Sequence, residues 1–435
     1  MKENVKKSND LNGIKFILFS LIGIFIFFIP IKINDTSTIP LDHIVSGLKV
    51  TLPSLAPIYA IIIIILGSIR PFYKKTWKES KVDTVFSFLK LLGIIVSLMI
   101  YFDFGPAWLF EPDMGPFLFN KLVIPVGLIV PVGAIFLTFL VGYGLLEFIG
   151  VLMKPVMKPI FKTPGRSAVD AVASFVGSYS IGLLITNKVF KEGKYTIKEA
   201  SIIATGFSTV SATFMIIVAK TLGLMEMWNK YFWTTLIITF LVTAIVVRLR
   251  PLRTKEDKCI TGENKPERDF SGNIFVNAWE EGKKAASNSE SVINNIIDNL
   301  KDGLVMAMGI LPTILSVGLI GLVLAKYSPV FDVLGYVFYP FTRLLQIPEA
   351  MLAAKASAVG IAEMFLPALL VVEASLVTKF VVGIISVSSI LFFSASIPCI
   401  LSTEIPITIP EILIIWLERT ILTIIIATPV AYLLL

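Results

Sequence analysis

Apolar runs of membrane-crossing length follow one another along almost all of this 435-residue chain. A helical crossing takes about 20 predominantly apolar residues. Nine segments approach or meet that requirement: Ile14–Ile33, Leu55–Ile69, Val82–Tyr101, Leu122–Leu146, Ala200–Leu222, Tyr231–Val247, Leu304–Ala325, Phe380–Leu401 and Ile412–Leu434. Only 16% of the residues are charged, against about 25% in a soluble chain. The bilayer therefore organises the fold, and the expectation is an all-α polytopic membrane protein with about nine transmembrane helices.

The net charge of +7 does not point to nucleic acid, because the basic residues sit in short loops between apolar runs. They crowd the N-terminus, the loop "RPFYKKTWKESK", the stretch from Lys154 to Lys198 and the long loop Arg248–Lys301. "KINDTSTIPLDH" and "DFGPAWLFEPDMGP" are acidic or nearly neutral. Basic loops stay on the cytoplasmic side, so the expected topology has the N-terminus in the cytoplasm and, after nine crossings, the C-terminus outside. The expected location is the bacterial cytoplasmic membrane. Trp77, Trp108, Trp228, Trp233 and Trp416 fall near span ends, where indole rings anchor to the interface.

Several chemistries are excluded by count. His43 is the single histidine, and Cys259 and Cys399 are far apart with no C-x-x-C, so a multi-histidine or thiolate metal site cannot be built; His43 sits in an acidic, loop-like stretch, where no Ser-His-Asp arrangement is expected. No phosphate-binding G-x-x-x-x-G-K-[ST] loop occurs, so the chain carries no nucleotide-hydrolysing module of that kind. No cofactor is expected, and scattered carboxylates do not make a transferase.

Two further apolar stretches do not fit a simple crossing. Ala168–Thr186 lies between basic segments on both sides, so one crossing would violate the charge rule. It is also too short to cross twice at about 1.5 Å per residue. A re-entrant hairpin is the remaining solution, and Met351–Ala374 poses the same problem from the opposite side. Backbone that turns at membrane depth must be buried in protein or line a wet cavity.

The two stretches belong to a longer repeat. Each is preceded by an amphipathic arm carrying proline (Pro155 and Pro159; Pro340) and by a second proline (Pro164; Pro348). Each runs through small residues to a glycine (Gly177; Gly360) and is followed by a serine-rich span, "GFSTVSAT" and then "SVSSILFFSAS". An apolar span closes each unit. This order predicts an inverted-topology repeat with two re-entrant helical hairpins meeting near the midplane. The expected organisation is a scaffold of N-terminal helices at 1–121 and a first repeat at 122–250, with its hairpin at 168–186. A cytoplasmic linker at 251–302 carries an amphipathic helix, and a second, inverted repeat at 303–435 has its hairpin at 351–374. In the linker, Phe275, Trp279, Gly282, Ala286, Ser289, Ile293, Ile296 and Leu300 recur at helical spacing.

These units resemble the nucleoside recognition (Gate) domain family, and the whole chain resembles its YjiH-like membrane proteins. Relatives in that family include concentrative nucleoside transporters, the membrane part of ferrous iron transport protein B, and spore maturation proteins. The resemblance covers about Leu128–Leu222 closely and Leu304–Leu401 more loosely. It implies a transport core of hairpins and broken helices. Nucleoside carriers of this kind read their ligand with a Gln-Thr-Glu cluster in the first hairpin. Here that place reads Gly177-Ser178-Tyr179-Ser180, with neither amide nor acid. The architecture carries over; the nucleoside does not follow from it.

Candidate solute-binding residues are Ser174, Gly177, Ser178, Tyr179 and Ser180 in the first hairpin, and Ser208, Thr209 and Ser211 in the span after it. Ser357 and Glu363 in the second hairpin, with Ser386, Ser388 and Ser389 beyond it, complete the set. Hydroxyls donate to and accept from a polar solute, but they also allow close helix packing. Glu363 is the charged member: an ionisable group at depth marks binding or ion coupling unless it is paired, here with Lys355. Asp170 could form a surface pair with Arg166 four residues earlier.

Two functions follow from this reading. One is a secondary active transporter of a small polar organic solute, nucleoside-like or amino-acid-like, driven by a sodium or proton gradient. The other is a non-transporting membrane component of envelope or spore assembly acting with a partner protein. The expected partners are the solute, the lipid bilayer, and a second copy of the chain or a partner membrane subunit, with no nucleic acid.

Overall fold

The structure, a computed structural model, describes residues 2–29, 31–33, 36–78, 81–176, 178–262 and 272–435. Among the described residues six helices are long and apolar enough to cross a membrane: Leu55–Tyr73, Asp83–Tyr101, Gly115–Val141, Met225–Val246, Val292–Tyr327 and Ile409–Leu434. The first expected span, Ile14–Ile33, is helical as far as Phe28 within helix Lys2–Phe28 and then gives way to an antiparallel ribbon, Ile31–Ile33 with Thr36–Thr38, because β-branched residues favour extended backbone. Two others take a different form. The runs Ala200–Leu222 and Phe380–Leu401 are each broken in the middle.

Behind the N-terminal helices, one order of elements occurs twice. The first unit has an opening helix (Gly115–Val141), an arm (Leu145–Phe161) and a hairpin of Ser167–Val176 and Tyr179–Lys191. It continues with a broken helix (Ile197–Gly206, then Ala212–Thr221) and a closing helix (Trp228–Val246). The second unit repeats this as Val292–Tyr327, the arm Val330–Leu344, the hairpin Ala350–Val359 and Leu366–Leu370, the broken helix Leu376–Ser388 and Ser396–Leu401, and the closing helix Ile409–Leu434. Even the arm endings agree. Lys162 and Gln346 both adopt left-handed backbone (φ 59° and 56°), one residue before an X-Pro pair.

The paired helices run in opposite directions. Along the opening pair Asp113 meets Lys326 (2.8 Å), Gly127 faces Leu311, and Thr138 accepts from Asn299 (2.9 Å). Along the closing pair Lys230 donates to the Leu434 carbonyl (2.8 Å) and Arg419 reaches Thr243 (2.9 Å).

Helix Val292–Tyr327 is the central post. Its 36 residues extend about 54 Å, beyond the roughly 30 Å of a hydrocarbon core. Two glycines let neighbouring helices lie against its backbone. A Cβ on Gly67 would stand 1.9 Å from the Met308 carbonyl oxygen, and one on Gly93 2.6 Å from that of Pro312. Such contact is how membrane helices associate when lipid is as apolar as leucine.

The linker helix is shorter than the heptad pattern predicts. It ends at Ser287, and Ser291 caps the next helix by accepting from the Asn294 N–H. Its buried face is Ala278, Gly282 and Ala286, while Phe275 and Ile293 are exposed. Gly282 admits Phe16 and lies against Gly144, so the linker helix packs on the first arm and the first helix.

Glu147, at the start of the first arm, is half-buried rather than solvated and pairs with Lys194 (2.8 Å). Burial works to raise its carboxyl, but the charges of Lys194 and Arg166 prevail and hold it below the ordinary value. A depressed carboxylate contributes stability above its unfolded pKa and loses it as pH falls through the folded one. Thermal unfolding against pH should show that loss below about pH 4. Glu147→Gln should remove the pH step and cost about 2 kcal/mol at neutral pH. Gly67→Ala should cost about 3 kcal/mol or prevent assembly. Gly47→Ala, with open space around it, should stabilise helix Pro40–Thr51 by up to about 1 kcal/mol.

Candidate functional site

Each broken helix breaks where the sequence turns to hydroxyl residues, which compete with the helix for backbone groups. In the first, Thr209 N–H turns back to the Phe207 carbonyl (2.7 Å), and Ser211 then caps the second half by accepting from Phe214 N–H (3.3 Å). In the second, Leu391 N–H turns back to the Ser389 carbonyl in the same way (2.6 Å). Ser396 accepts from Phe392 N–H (2.9 Å) and donates to the Ile390 carbonyl (2.8 Å). Ile390 sits at φ 61°, a strained conformation for a β-branched residue and one that clusters at functional sites.

Each hairpin is fastened to the break of its own unit. Ser174 donates to the Thr209 carbonyl (2.7 Å) in the first. In the second, the N–H groups of Phe393 and Ser394 donate to the carbonyls of Ile361 and Ala362 (2.7 and 2.9 Å). Contacts also cross between units. The Tyr179 ring meets Phe392 edge-on (centroids 5.8 Å), and Phe365 meets Phe214 in the same fashion (6.0 Å). The Tyr179 hydroxyl and the Glu363 carboxylate are within electrostatic range of each other.

A carboxylate clamps the base of each hairpin. Asp170 is buried, not at the surface, and accepts from Thr186 and Tyr195 (both 2.6 Å). Glu349, in the matching place, accepts from Ser375 N–H (3.1 Å), the Ser375 hydroxyl (2.8 Å) and Thr378 (2.5 Å). Sequence reading passes over Glu349 because nothing in its neighbourhood marks it.

Arg419 is the larger omission. It is fully buried in the second closing helix and donates through Nε and Nη2 to the Ser388 carbonyl (3.0 and 2.8 Å). That carbonyl ends the first half of the second broken helix. Nη1 donates to Thr243 (2.9 Å). The Thr243 hydroxyl in turn has one proton to share between Thr239 O (2.9 Å) and Gly206 O (3.0 Å), the carbonyl that ends the first half of the other broken helix. One guanidinium therefore reaches both breaks. The rule that flags Glu363, an ionisable residue within an apolar run, flags Arg419 equally.

The expected site residues divide into three groups. Gly177 lies outside the described residues. Ser174, Ser178, Ser180, Ser211, Ser357 and Ser388 have local partners: Ser178 and Ser180 bond each other (2.8 Å), Ser357 donates to Ala353 O (2.8 Å), and Ser388 bonds Thr423 (2.8 Å). Ser208 is buried at the first break. Glu363 is buried but does not pair with Lys355, which pairs instead with Asp332 (2.5 Å). Glu363 caps the short second leg of its hairpin, accepting from Phe365 and Leu366 N–H (2.6 and 3.0 Å). The third group has no partner among the described residues: the hydroxyls of Tyr179, Thr209, Ser386 and Ser389 are buried without a hydrogen bond there, as is Ser394, which sequence reading passes over. Buried unpaired hydroxyls are uncommon, and five of them here flank the two breaks.

If Arg419 ties the breaks together, Arg419→Met should speed amide hydrogen exchange at 206–211 as well as at 388–395, by roughly tenfold. A change confined to 388–395 would count against the tie.

The family model described as nucleoside recognition (Gate) matches residues 123–225, the first opening helix through the first broken helix. An uncharacterized protein of Alkalihalophilus pseudofirmus is 30% identical over 441 residues, covering 97% of this chain and 94% of its own length. No solved structure matches the chain. With its hairpin and broken helix inside the matched region and its relative aligned nearly end to end, the chain belongs to the nucleoside recognition (Gate) domain family of membrane proteins.

Proposed function

We propose that this protein is a secondary active transporter of a small polar organic solute, nucleoside-like or amino-acid-like, in the bacterial cytoplasmic membrane. The two hairpins are re-entrant, the two units form an inverted-topology repeat, and the solute binds between the breaks near the midplane. The observation that carries this reading is the set of five buried hydroxyls without partners at the breaks. A buried polar group left unpaired costs about 1–3 kcal/mol, and a solute that supplied the missing bonds would recover it. Opposed directions in both helix pairs support the inversion. The N-terminus is cytoplasmic and the C-terminus outside. Transport is driven by a sodium or proton gradient, with Glu363 as the charged element. Its partners are the solute, the lipid bilayer, and a second copy of the chain or a partner membrane subunit.

The test is uptake by purified protein in liposomes against a panel of nucleosides and amino acids, with imposed sodium or proton gradients. Absence of accumulation under every gradient overturns the proposal. Removing an unpaired hydroxyl takes no bond from the fold, so Tyr179→Phe, Thr209→Val and Ser389→Ala should leave thermal stability unchanged or slightly raised. The same variants should lower solute affinity by about tenfold each. Glu363→Gln keeps an oxygen to cap the hairpin leg and should abolish gradient-driven accumulation while the protein still folds.

A further inference from the structure

The basic residues that the transport site does not use converge on one cavity of about 640 Å³. It lies where the end of the first arm, the turn before the first broken helix and the chain leaving the first closing helix come together. Its wall holds seven lysines and arginines against two carboxylates. One of those carboxylates, Glu199, is already committed to the capping box with Thr196. Among the cations, Lys194 faces Glu147 and Glu192, and Arg248 donates to the carbonyls of Pro159 and Ile160. Lys158, Lys162, Lys198 and Arg253 have no ion pair or side-chain hydrogen bond among the described residues.

The arm that supplies the lysines is two-faced. Lys154, Lys158 and Lys162 recur every fourth residue and line the cavity. Val156 and Ile160 form a second stripe that is exposed (43% and 42%). An amphipathic helix with exposed apolar residues beside a lysine row lies in the interface plane, at the depth of headgroup phosphates. Four cations with no partner, gathered in a concavity at that depth, match a group carrying several anionic oxygens. A neutral solute would leave them uncompensated.

We propose that this cavity is a phosphate-binding site, taking either the headgroup phosphate of an anionic phospholipid or a free phosphorylated anion. The site is separate from the breaks, so its test does not depend on transport. The full-length protein is purified in detergent, and its binding of phosphatidylglycerol and phosphatidylcholine is measured by native mass spectrometry. Inorganic phosphate is then titrated by thermal shift. The variant is Lys158→Gln/Lys162→Gln/Arg253→Gln, three exposed positions. The control is Lys74→Gln/Lys75→Gln/Lys78→Gln, which removes the same charge from another exposed loop.

Each basic residue beside an anionic surface is worth about fivefold in binding, so the variant should bind phosphatidylglycerol roughly 100-fold more weakly while the control does not. A preference for phosphatidylglycerol, lost only in the cavity variant, makes the lipid the source. Stabilisation by inorganic phosphate, again lost only in that variant and without any lipid preference, makes the source a soluble anion. Equal binding of both lipids together with no response to phosphate overturns the site, as does a variant that behaves like the control.

Discussion

Backbone that stops being helical in an apolar interior leaves carbonyls and amides without their helical partners, and the rest of this molecule is arranged around two such places. Each unsatisfied group costs several kcal/mol in hydrocarbon. The solution is specific. A single guanidinium accounts for the last carbonyl of one half-helix directly and reaches the last carbonyl of the other through Thr243. The C-terminal end of a helix carries partial negative charge, so a cation suits both ends electrostatically. Arg419 has no carboxylate partner among the described residues; backbone oxygens and a threonine hydroxyl fill that role. In broken-helix transporters, half-helix ends and unwound carbonyls are where coupling cations bind. Here the protein's own side chain holds the Ser388 carbonyl.

The hairpins extend the same logic outward. Asp170 and Glu349 fix their bases, hydrogen bonds from each break fix their tips, and aromatic edge contacts join the tip of one unit to the break of the other. The contacts from each hairpin tip to the opposite break are apolar, while those from each hairpin to its own break are hydrogen bonds. Along the paired helices the units are also joined by polar contacts, Thr138 with Asn299, Lys230 with the Leu434 carbonyl and Arg419 with Thr243.

Much of this was legible from residue order. Length and hydropathy gave the fold class, and the charge around Ala168–Thr186 pointed to the helical hairpin of Ser167–Val176 and Tyr179–Lys191. Hydropathy alone did not locate the breaks, because averaging over a run such as Ala200–Leu222 hides five non-helical residues beneath the leucines and isoleucines around them. Arg419 was legible by the rule applied to Glu363 and was passed over because the apolar run around it reads as a plain crossing. Glu363 is buried as its apolar surroundings suggest, but its candidate partner was wrong: Lys355 turns to Asp332 on the neighbouring arm, a contact that needs the tertiary fold to be seen. Among the hydroxyls, residue type alone could not separate Ser357 and Ser388, which have partners, from Ser386 and Ser389, which do not.

The two hairpins are not equal copies. The second leg of the first is a helix of 13 residues, whereas its counterpart has 5 and is capped by a carboxylate at its start. The strained residue, Ile390, also belongs to the unit with the shorter leg. A frame with near two-fold balance is thus built from unequal halves: the hairpin with less helix in its second leg belongs to the unit that also carries the strained backbone.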